Sequence, residues 1–320
     1  MGVLITGGAG FIGAEVARML LGDGEDAITV FSRNPTRDRL GALADKVRAV
    51  SGDVGNYTHV LAAVEDARPD TIYHLGAMFS TPSEADHSGS IQTNAMGTYH
   101  VLEAARLFGV RQVIFASSIA TFGTRTGDGV MRDDSLQRPT LIYGACKVFA
   151  EHMGLWYRRK FGLDFRGLRY PSVVGPGVRT PGITQYTSWM IETAARGEPF
   201  TVWVREDTRC PVLYYRDAAK AAVQLAGAPH DDIAAVNYLV DGIVPTPSAG
   251  EIAAAVRARI PGADIAFETD EERQTILDAA LMPMDDSRAR EEWGWAPAYD
   301  LDGAVDDLIE QARARQGGRP

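Results

Sequence analysis

A short apolar run, Val3-Leu4-Ile5-Thr6, passes directly into Gly7-Gly8-Ala9-Gly10-Phe11-Ile12-Gly13 and from there into a helical pattern over Ala14–Leu21. Few arrangements constrain a fold so tightly. Glycines at 7, 10 and 13 let the backbone turn sharply, let it approach a pyrophosphate, and let a helix pack closely on the preceding strand. The free N–H groups of the helix start then face that anion. Strand before and helix after supply the context a dinucleotide site requires, so a nicotinamide cofactor is expected.

The rest of the chain repeats the alternation. Strands are predicted over Ala27–Phe31, Val47–Ser51, Thr71–Leu75, Val113–Ala116, Asp164–Arg169 and Ala235–Val240. An amphipathic helix is predicted over Ile91–Phe108, and another from about Tyr143 to Phe161. Alternating strands and helices imply an α/β fold of Rossmann type, a doubly wound parallel sheet with right-handed crossovers. After Arg169 the texture changes: Pro171, Pro176 and Pro181 interrupt the pattern, and helices are expected near 184–196, 213–225, 247–260, 271–280, 286–292 and 302–315. The expected division is a cofactor domain of residues 1–169 and about 212–242, with a smaller, mainly C-terminal α/β substrate lobe of about 170–211 and 243–320. The terminal Gly317-Gly-Arg-Pro320 reads as a frayed end.

Charge narrows the function classes. The 320 residues carry a net charge of -10, which argues against nonspecific nucleic-acid binding or an anionic membrane surface and favours a small-molecule substrate. The two cysteines, Cys146 and Cys210, are too few for a disulfide framework and lack paired zinc-ligand spacing, and the six histidines show no ligand pattern. No metal is expected. The first strand begins at Val3 and no apolar run reaches membrane-spanning length, so the expected compartment is the cytoplasm.

Site residues follow from the strand ends. An NAD-binding chain would place an acidic residue at the end of the second strand, to hold the ribose hydroxyls. Ser32-Arg33 stands there instead, and a guanidinium without a neighbouring carboxylate suits a ribose phosphate, which predicts NADP, assisted by Arg37 or Arg39. If Arg33 is merely solvated, NAD is the alternative. Asp53, ahead of Val54, is read either as an adenine contact or as a turn aspartate capping the next helix. Leu75-Gly76-Ala77 lets the chain pass beside the cofactor, whereas His74 just before it reads as a packed core histidine. The polar stretch Ser80-Thr81-Pro82 to Ser90 reads as a loop at the site mouth. Ser118 ends the fifth strand, where its hydroxyl points into the ligand crevice. Tyr143 and Lys147, four apart, share one helical face, an arrangement suited to moving a proton through a phenol. Cys146 between them reads as a packing thiol.

The glycines at 7, 10 and 13, the Ser117-Ser118 strand end and Tyr143-x-x-x-Lys147, in this order, resemble the extended short-chain dehydrogenase/reductase family of NAD(P)-dependent epimerases and dehydratases. The resemblance implies that Tyr143 is the general acid/base, that Lys147 binds the nicotinamide ribose and lowers the tyrosine pKa, and that Ser118 orients the reacting oxygen. It implies a cofactor-contacting set of Gly7, Gly10, Phe11, Ile12, Gly13, Ser32, Arg33, Asp53, Val54, Leu75, Gly76, Ala77, Asn94, Tyr143, Lys147 and Tyr170. It also implies a homodimer through the helices around 91–108 and 143–161.

Within that family, Tyr73-His-Leu-Gly-Ala-Met, Leu168-Arg-Tyr-Pro171, Glu206-Asp-Thr-Arg209 with Pro211, and Asp285 to Trp295 look like the L-threonine 3-dehydrogenase branch. The departures carry weight. Ser32 replaces that branch's aspartate, Thr184-Gln185-Tyr186 lacks the carboxylate of its threonine-aspartate-tyrosine triplet, and Ala280 stands for an expected tryptophan. Val173-Val-Gly-Pro176 is closer to sugar-nucleotide members, although the arginine those members use on a diphosphate falls at Cys210, one residue after Arg209. The implied activity is interconversion of a secondary alcohol and a ketone in a small polar substrate. Ser80, Thr81, Thr184, Gln185, Tyr186 and Trp203 are the candidate substrate contacts. A nucleotide-sugar epimerase or dehydratase is the alternative, and a non-catalytic cofactor-sensing protein a further one.

Overall fold

The computed structural model describes residues 2–123 and 129–317; of the end expected to fray, 317–320, residues 318–320 lie outside the described residues and Gly317 is the last residue of a helix. In chain order the strands are β1 (Val3–Thr6), β2 (Ile28–Ser32), β3 (Arg48–Ser51), β4 (Thr71–His74), β5 (Gln112–Ser118), β6 (Asp164–Tyr170), β7 (Ser172–Val174), β8 (Phe200–Val202), β9 (Val212–Tyr214), β10 (Asn237–Leu239) and β11 (Ile265–Phe267). The helices are α1 (Phe11–Gly22), α2 (Arg37–Leu40), α3 (Tyr57–Ala67), α4 (Ser80–Ala85), α5 (His87–Ser90), α6 (Gly97–Phe108), α7 (Ile142–Phe161), α8 (Tyr186–Ala195), α9 (Tyr215–Gly227), α10 (Ala249–Arg259), α11 (Glu271–Ala280), α12 (Ser287–Trp293) and α13 (Leu301–Gly317).

Seven strands form one parallel sheet in the order β10-β6-β5-β4-β1-β2-β3. The strand order reverses between β1 and β4, so the carboxyl ends of those strands open a crevice at the switch point. Continuous apolar runs explain the central strands: all four residues of β1 are buried, and so are all seven of β6, as expected for strands covered on both faces. One apolar cluster packs α1 and α9 on one side of the sheet, with Val16, Ala218 and Ala222 fully buried. The other side is filled by Val64, Val101, Phe115 and Phe165 from α3, α6, β5 and β6.

The later chain builds a separate core, in which Tyr186, Val202, Tyr214, Ile252 and Val305 meet. Two small parallel pairs accompany it, β11 with β8 and β7 with β9. Residues 213–225 were expected to be entirely helical, but Val212–Tyr214 pairs with Ser172–Val174 before α9 begins at Tyr215. Three consecutive apolar residues at the start of an amphipathic pattern have no helical face of their own to define, and the β7 partner decides their state.

The helix expected over Ile91–Phe108 is split. Ile91–Met96 forms a wide π-helical turn before α6, the kind of irregularity that often marks functional sites. No described helix is long and apolar enough to cross a membrane.

Candidate active site

The glycine loop forms a backbone cradle. Gly7 has φ +69°, and a Cβ there would lie 2.8 Å from the Gly76 Cα; a Cβ on Gly13 would lie 2.6 Å from the Gly7 carbonyl oxygen. No other residue type permits this three-way approach of loop, helix start and β4 exit. The loop is pinned from outside by the Gly7 N–H donating to Phe31 O (2.8 Å) and the Ala9 N–H to the Ser32 hydroxyl (3.1 Å). Leu75 and Gly76 are tied to Thr6 by N–H bonds of 3.2 Å each, to its carbonyl and its hydroxyl. No side chain caps α1 and no acidic residue occupies its first turn, so its amides around Phe11, Ile12 and Gly13 suit an anion. These features fit a dinucleotide pyrophosphate.

Ser32 therefore braces the loop as well as ending β2. Arg33 is exposed beside it, with its carbonyl held by the Ser51 hydroxyl (3.1 Å). Arg37 is committed elsewhere, in a two-pronged bond to Asp45 (2.9 and 2.6 Å), while Arg39 is exposed. Asp53 does not cap α3. Its carboxylate accepts the Gly55 N–H (2.8 Å) in a tight turn, and Asn56 caps the helix by accepting from Thr58 and His59. Val54 is buried against Gly97.

The catalytic candidates converge at the end of β5. Ser118 pairs with Tyr170 across the sheet; its hydroxyl accepts the Ala120 N–H (3.2 Å) and is near enough to Tyr143 to favour the phenolate. Tyr143 sits in the first turn of α7. The helix comes this close because residue 144 is glycine: a Cβ there would stand 2.2 Å from the Ala120 carbonyl oxygen and 2.9 Å from the Pro139 side chain. Burial pushes the Tyr143 phenol up to about 12, opposed by the nearby Ser118 hydroxyl. Lys147, expected to lower this value, places its ammonium 5.6 Å from the Tyr143 ring centroid. At neutral pH Tyr143 is a neutral acid.

Lys147 is almost fully buried, donates to Ala116 O (2.6 Å) and lies 4.6 Å from the Phe115 ring centroid. Burial lowers it to about 8, and the charge of Glu151 pulls it back upward. His74 bridges the Thr6 hydroxyl (2.7 Å) and the Thr98 hydroxyl (3.1 Å); burial, then the Lys147 charge, drives it down to about 3. It is a neutral core residue. Asn94, on the π-helical turn, accepts the Met78 N–H (2.9 Å) and donates to Met78 O (3.0 Å), fixing the chain that leaves β4. Cys146 is buried, with its thiol against Ser90 O.

The mouth differs from expectation. Ser80–Ser90 is not a loop but two short helices. Pro82 falls in the first turn of α4, where a missing N–H costs nothing, and Asp86 caps α5 through Gly89 N. Ser80 is half-buried and Thr81 exposed. Glu84 on α4 accepts the Ile142 N–H (2.8 Å) and so caps the catalytic helix from outside.

Thr184 and Gln185 are half-buried ahead of α8, and the Ser172 hydroxyl donates to Thr184 (3.0 Å). Ser172 lies just past the carboxyl end of β6, which brings Thr184 to the same end of the sheet as Ser118. Tyr186 is wholly buried in the second core beside Cys210, its hydroxyl without a hydrogen-bond partner among the described residues. Trp203 props the same loop from behind, donating to Ile183 O (2.8 Å). The Tyr170 side chain also turns inward, its hydroxyl donating to Ala218 O (2.8 Å).

Arg209 is occupied by Glu251 (3.0 Å twice) and Thr246 O. Among the described residues no cluster of three His, Cys, Asp or Glu side chains is arranged to hold a metal. Gly144, Ser172, Glu84 and Glu151 escaped the sequence reading. Glu151, one turn beyond Lys147 on the same face, is the one whose spacing carried a signal.

Residues 3–240 match the NAD dependent epimerase/dehydratase family. The L-threonine 3-dehydrogenase of Bos taurus mitochondria is 30% identical over 311 residues, covering 96% of this chain and 81% of that protein. An uncharacterised epimerase/dehydratase of Staphylococcus haemolyticus is 29% identical and covered to 98% on both sides. Among solved structures, the GalE-like L-threonine dehydrogenase of Cupriavidus necator in its holo form superposes with a TM-score of 0.89 at 30% identity, over 97% of this chain and 99% of that one. The UDP-glucose 4-epimerase of Thermotoga maritima shares the fold at a TM-score of 0.87 and 20% identity, over 99% of this chain and all of that one.

Proposed function

The chain belongs to the NAD dependent epimerase/dehydratase family, and from that premise we propose that it is an NADP-preferring oxidoreductase interconverting a secondary alcohol and a ketone in a small polar molecule. The observation that carries this reading is the helix that presents Tyr143 and Lys147 one turn apart, packed through Gly144 against the turn that follows Ser118, with the glycine cradle at the same end of the sheet. A nicotinamide dinucleotide in that cradle supplies or accepts the hydride. Ser118 orients the substrate oxygen, Tyr143 passes a proton to or from it, and Lys147 holds the cofactor ribose while its charge favours the phenolate when the proton leaves. Asn94, by fixing Met78, sets the wall along which the cofactor lies. Thr184, held by Ser172, and Ser80 contact the far end of the substrate.

NADP preference rests on exposed Arg33 beside Ser32, with no carboxylate at the end of β2. A small substrate is favoured over a sugar nucleotide because Arg209, the nearest candidate for a diphosphate, is occupied by Glu251. We further propose a cytoplasmic homodimer. Leu107 and Phe108 of α6 with Phe149, Trp156 and Phe161 of α7 leave an apolar face open, with Trp156 40% and Leu107 50% exposed, and a second copy would cover it. Residues 1–169 and about 212–242 form the cofactor domain in this reading, and the remainder the substrate lobe.

The deciding experiment follows nicotinamide absorbance with a panel of hydroxy acids, amino alcohols, L-threonine and sugar nucleotides, on wild type and Tyr143→Phe. Net cofactor reduction by wild type, lost in the variant while cofactor still binds, is expected. Cofactor regenerated within each turnover of a sugar nucleotide would favour the epimerase instead, and retained activity of the variant would refute the role of Tyr143. Binding with no turnover on any of them would favour a sensor. Sedimentation of wild type against Trp156→Asp tests the dimer.

A further inference from the structure

We propose that Glu151 is a positioning residue for the Ser118–Tyr143–Lys147 set, locking the strand end that carries Ser118 to the helix that carries Tyr143 and Lys147 and keeping a carboxylate one turn from the lysine. The inference rests on the reading of Lys147 as the residue that holds the cofactor ribose.

Glu151 is 1% exposed and shares the inner face of α7 with Lys147. Its first oxygen accepts from the Ser117 hydroxyl (2.5 Å) and Arg169 Nε (2.9 Å); its second accepts from Arg169 Nη2 (2.7 Å) and Gln137 Nε2 (2.8 Å). With four donors in place, the carboxylate is built to hold protein groups and not a substrate. Ser117 directly precedes Ser118, and Arg169 is its partner across the β5–β6 pairing. One side chain thus fixes the end of β5 against α7 at a point one residue from Ser118 and one turn from Lys147. Arg169 extends the clamp, donating to Asp133 O (2.6 Å), while Asp133 accepts the Leu239 N–H (2.6 Å).

A purely structural contact at this depth would not need charge, since apolar groups of similar volume often stabilise as well as a buried ion pair. What the charge adds is electrostatic. The groups facing Lys147 are neutral His74 and Phe115 with the Ala116 carbonyl from the sheet, Tyr143 and Cys146 from its own helix, and Glu151, which is the carboxylate among them. Arg169 stands behind Glu151 and balances it. Losing Glu151 removes an attraction on the Lys147 proton and leaves the Arg169 charge unopposed nearby.

The test titrates NADP+ and NAD+ by intrinsic fluorescence from acid to alkaline pH, on wild type, Lys147→Met, Glu151→Gln, Ser117→Ala and the charge-balanced double variant Glu151→Gln with Arg169→Met. Wild-type affinity should fall as pH rises through about 8, where Lys147 loses its proton. Glu151→Gln should break about one pH unit lower, whereas Ser117→Ala, which keeps the charge, should break where wild type does. If Glu151→Gln does not fold, the double variant supplies the reading, because it removes the Arg169 charge together with its Glu151 partner, and it too should break below wild type. A wild-type break that Lys147→Met abolishes but the Glu151 variants do not move overturns this proposal alone. A flat wild-type profile unchanged in Lys147→Met overturns the assignment of Lys147 instead.

Discussion

The Ser172 hydroxyl donates to the Thr184 hydroxyl across 3.0 Å, joining the residue just past β6 to the loop ahead of α8. Ser172→Ala leaves Thr184 without that restraint. A neutral hydrogen bond contributes about 1 kcal/mol net, so substrate KM should rise roughly 5-fold. Because neither residue belongs to the glycine cradle, the cofactor dissociation constant should stay at the wild-type value. Steady-state kinetics on the substrate that wild type turns over, with parallel cofactor titration, checks both; a shift in cofactor affinity alone would place Thr184 away from the substrate.

Gly144→Ala introduces a methyl where the Ala120 carbonyl oxygen stands at 2.2 Å. That oxygen belongs to the turn that follows Ser118, so the helix must retreat and carry Tyr143 away from Ser118. Misplacement by about 1 Å is enough for a loss on the order of 100-fold in kcat. Circular dichroism and cofactor titration should show a folded protein that binds its cofactor, with the loss confined to turnover. Wild-type kcat in this variant would mean that the close helix approach is not what positions the phenol.

Arg33→Asp converts the end of β2 from a phosphate partner into a ribose partner. The ratio of NADP to NAD affinity should fall by about 100-fold or more, corresponding to roughly 3 kcal/mol for a charge-assisted bond exchanged for a repulsion. Isothermal titration with each cofactor reads the ratio directly. An unchanged ratio would leave Arg33 a solvated side chain.

His74 gives a pH prediction whose sign is fixed by burial. Its pKa is about 3 in the fold against 6.5 for the free group, so the unfolded chain takes up a proton that the folded chain refuses. Stability attributable to this site is complete above pH 6.5 and is lost as pH falls from 6.5 towards about 3, at about 1.4 kcal/mol per pH unit. Asp133 and Asp241 act oppositely: burial raises each to about 6, so each adds stability as pH falls below 6. Urea unfolding of wild type and His74→Gln at several pH values separates the terms. The stability of wild type relative to the variant should decline steadily below pH 6.5, and a pH-independent difference would mean His74 charges within the fold.

The sequence made some of these features plain and hid others for a consistent reason. The cradle was legible because the positive φ of Gly7 and the packing of Gly13 on the Gly7 carbonyl are settled within a few positions, and α7 was legible because its apolar spacing is local. His74 read as a core residue since it lies in a strand of buried type. The burial of Tyr186 was not legible, because which way a ring at the start of a helix faces depends on the body that the helix packs against, here the second core. Ser80–Ser90 was misjudged, because its polar composition says nothing of the Glu84 carboxylate that ties α4 to α7.

By itself, then, the sequence determined the alternation of strand and helix, the dinucleotide cradle and the Tyr143–Lys147 pair, all of which are settled by dihedral preference and spacing over a few residues. Only the tertiary structure decided that Glu151 closes on Ser117 and Arg169, that Ser172 reaches Thr184, and that desolvation pushes the half-buried Tyr143 phenol upward. Those outcomes depend on which side chains the sheet order brings together and how much water it leaves around them, and neither quantity is written in the order of neighbouring residues.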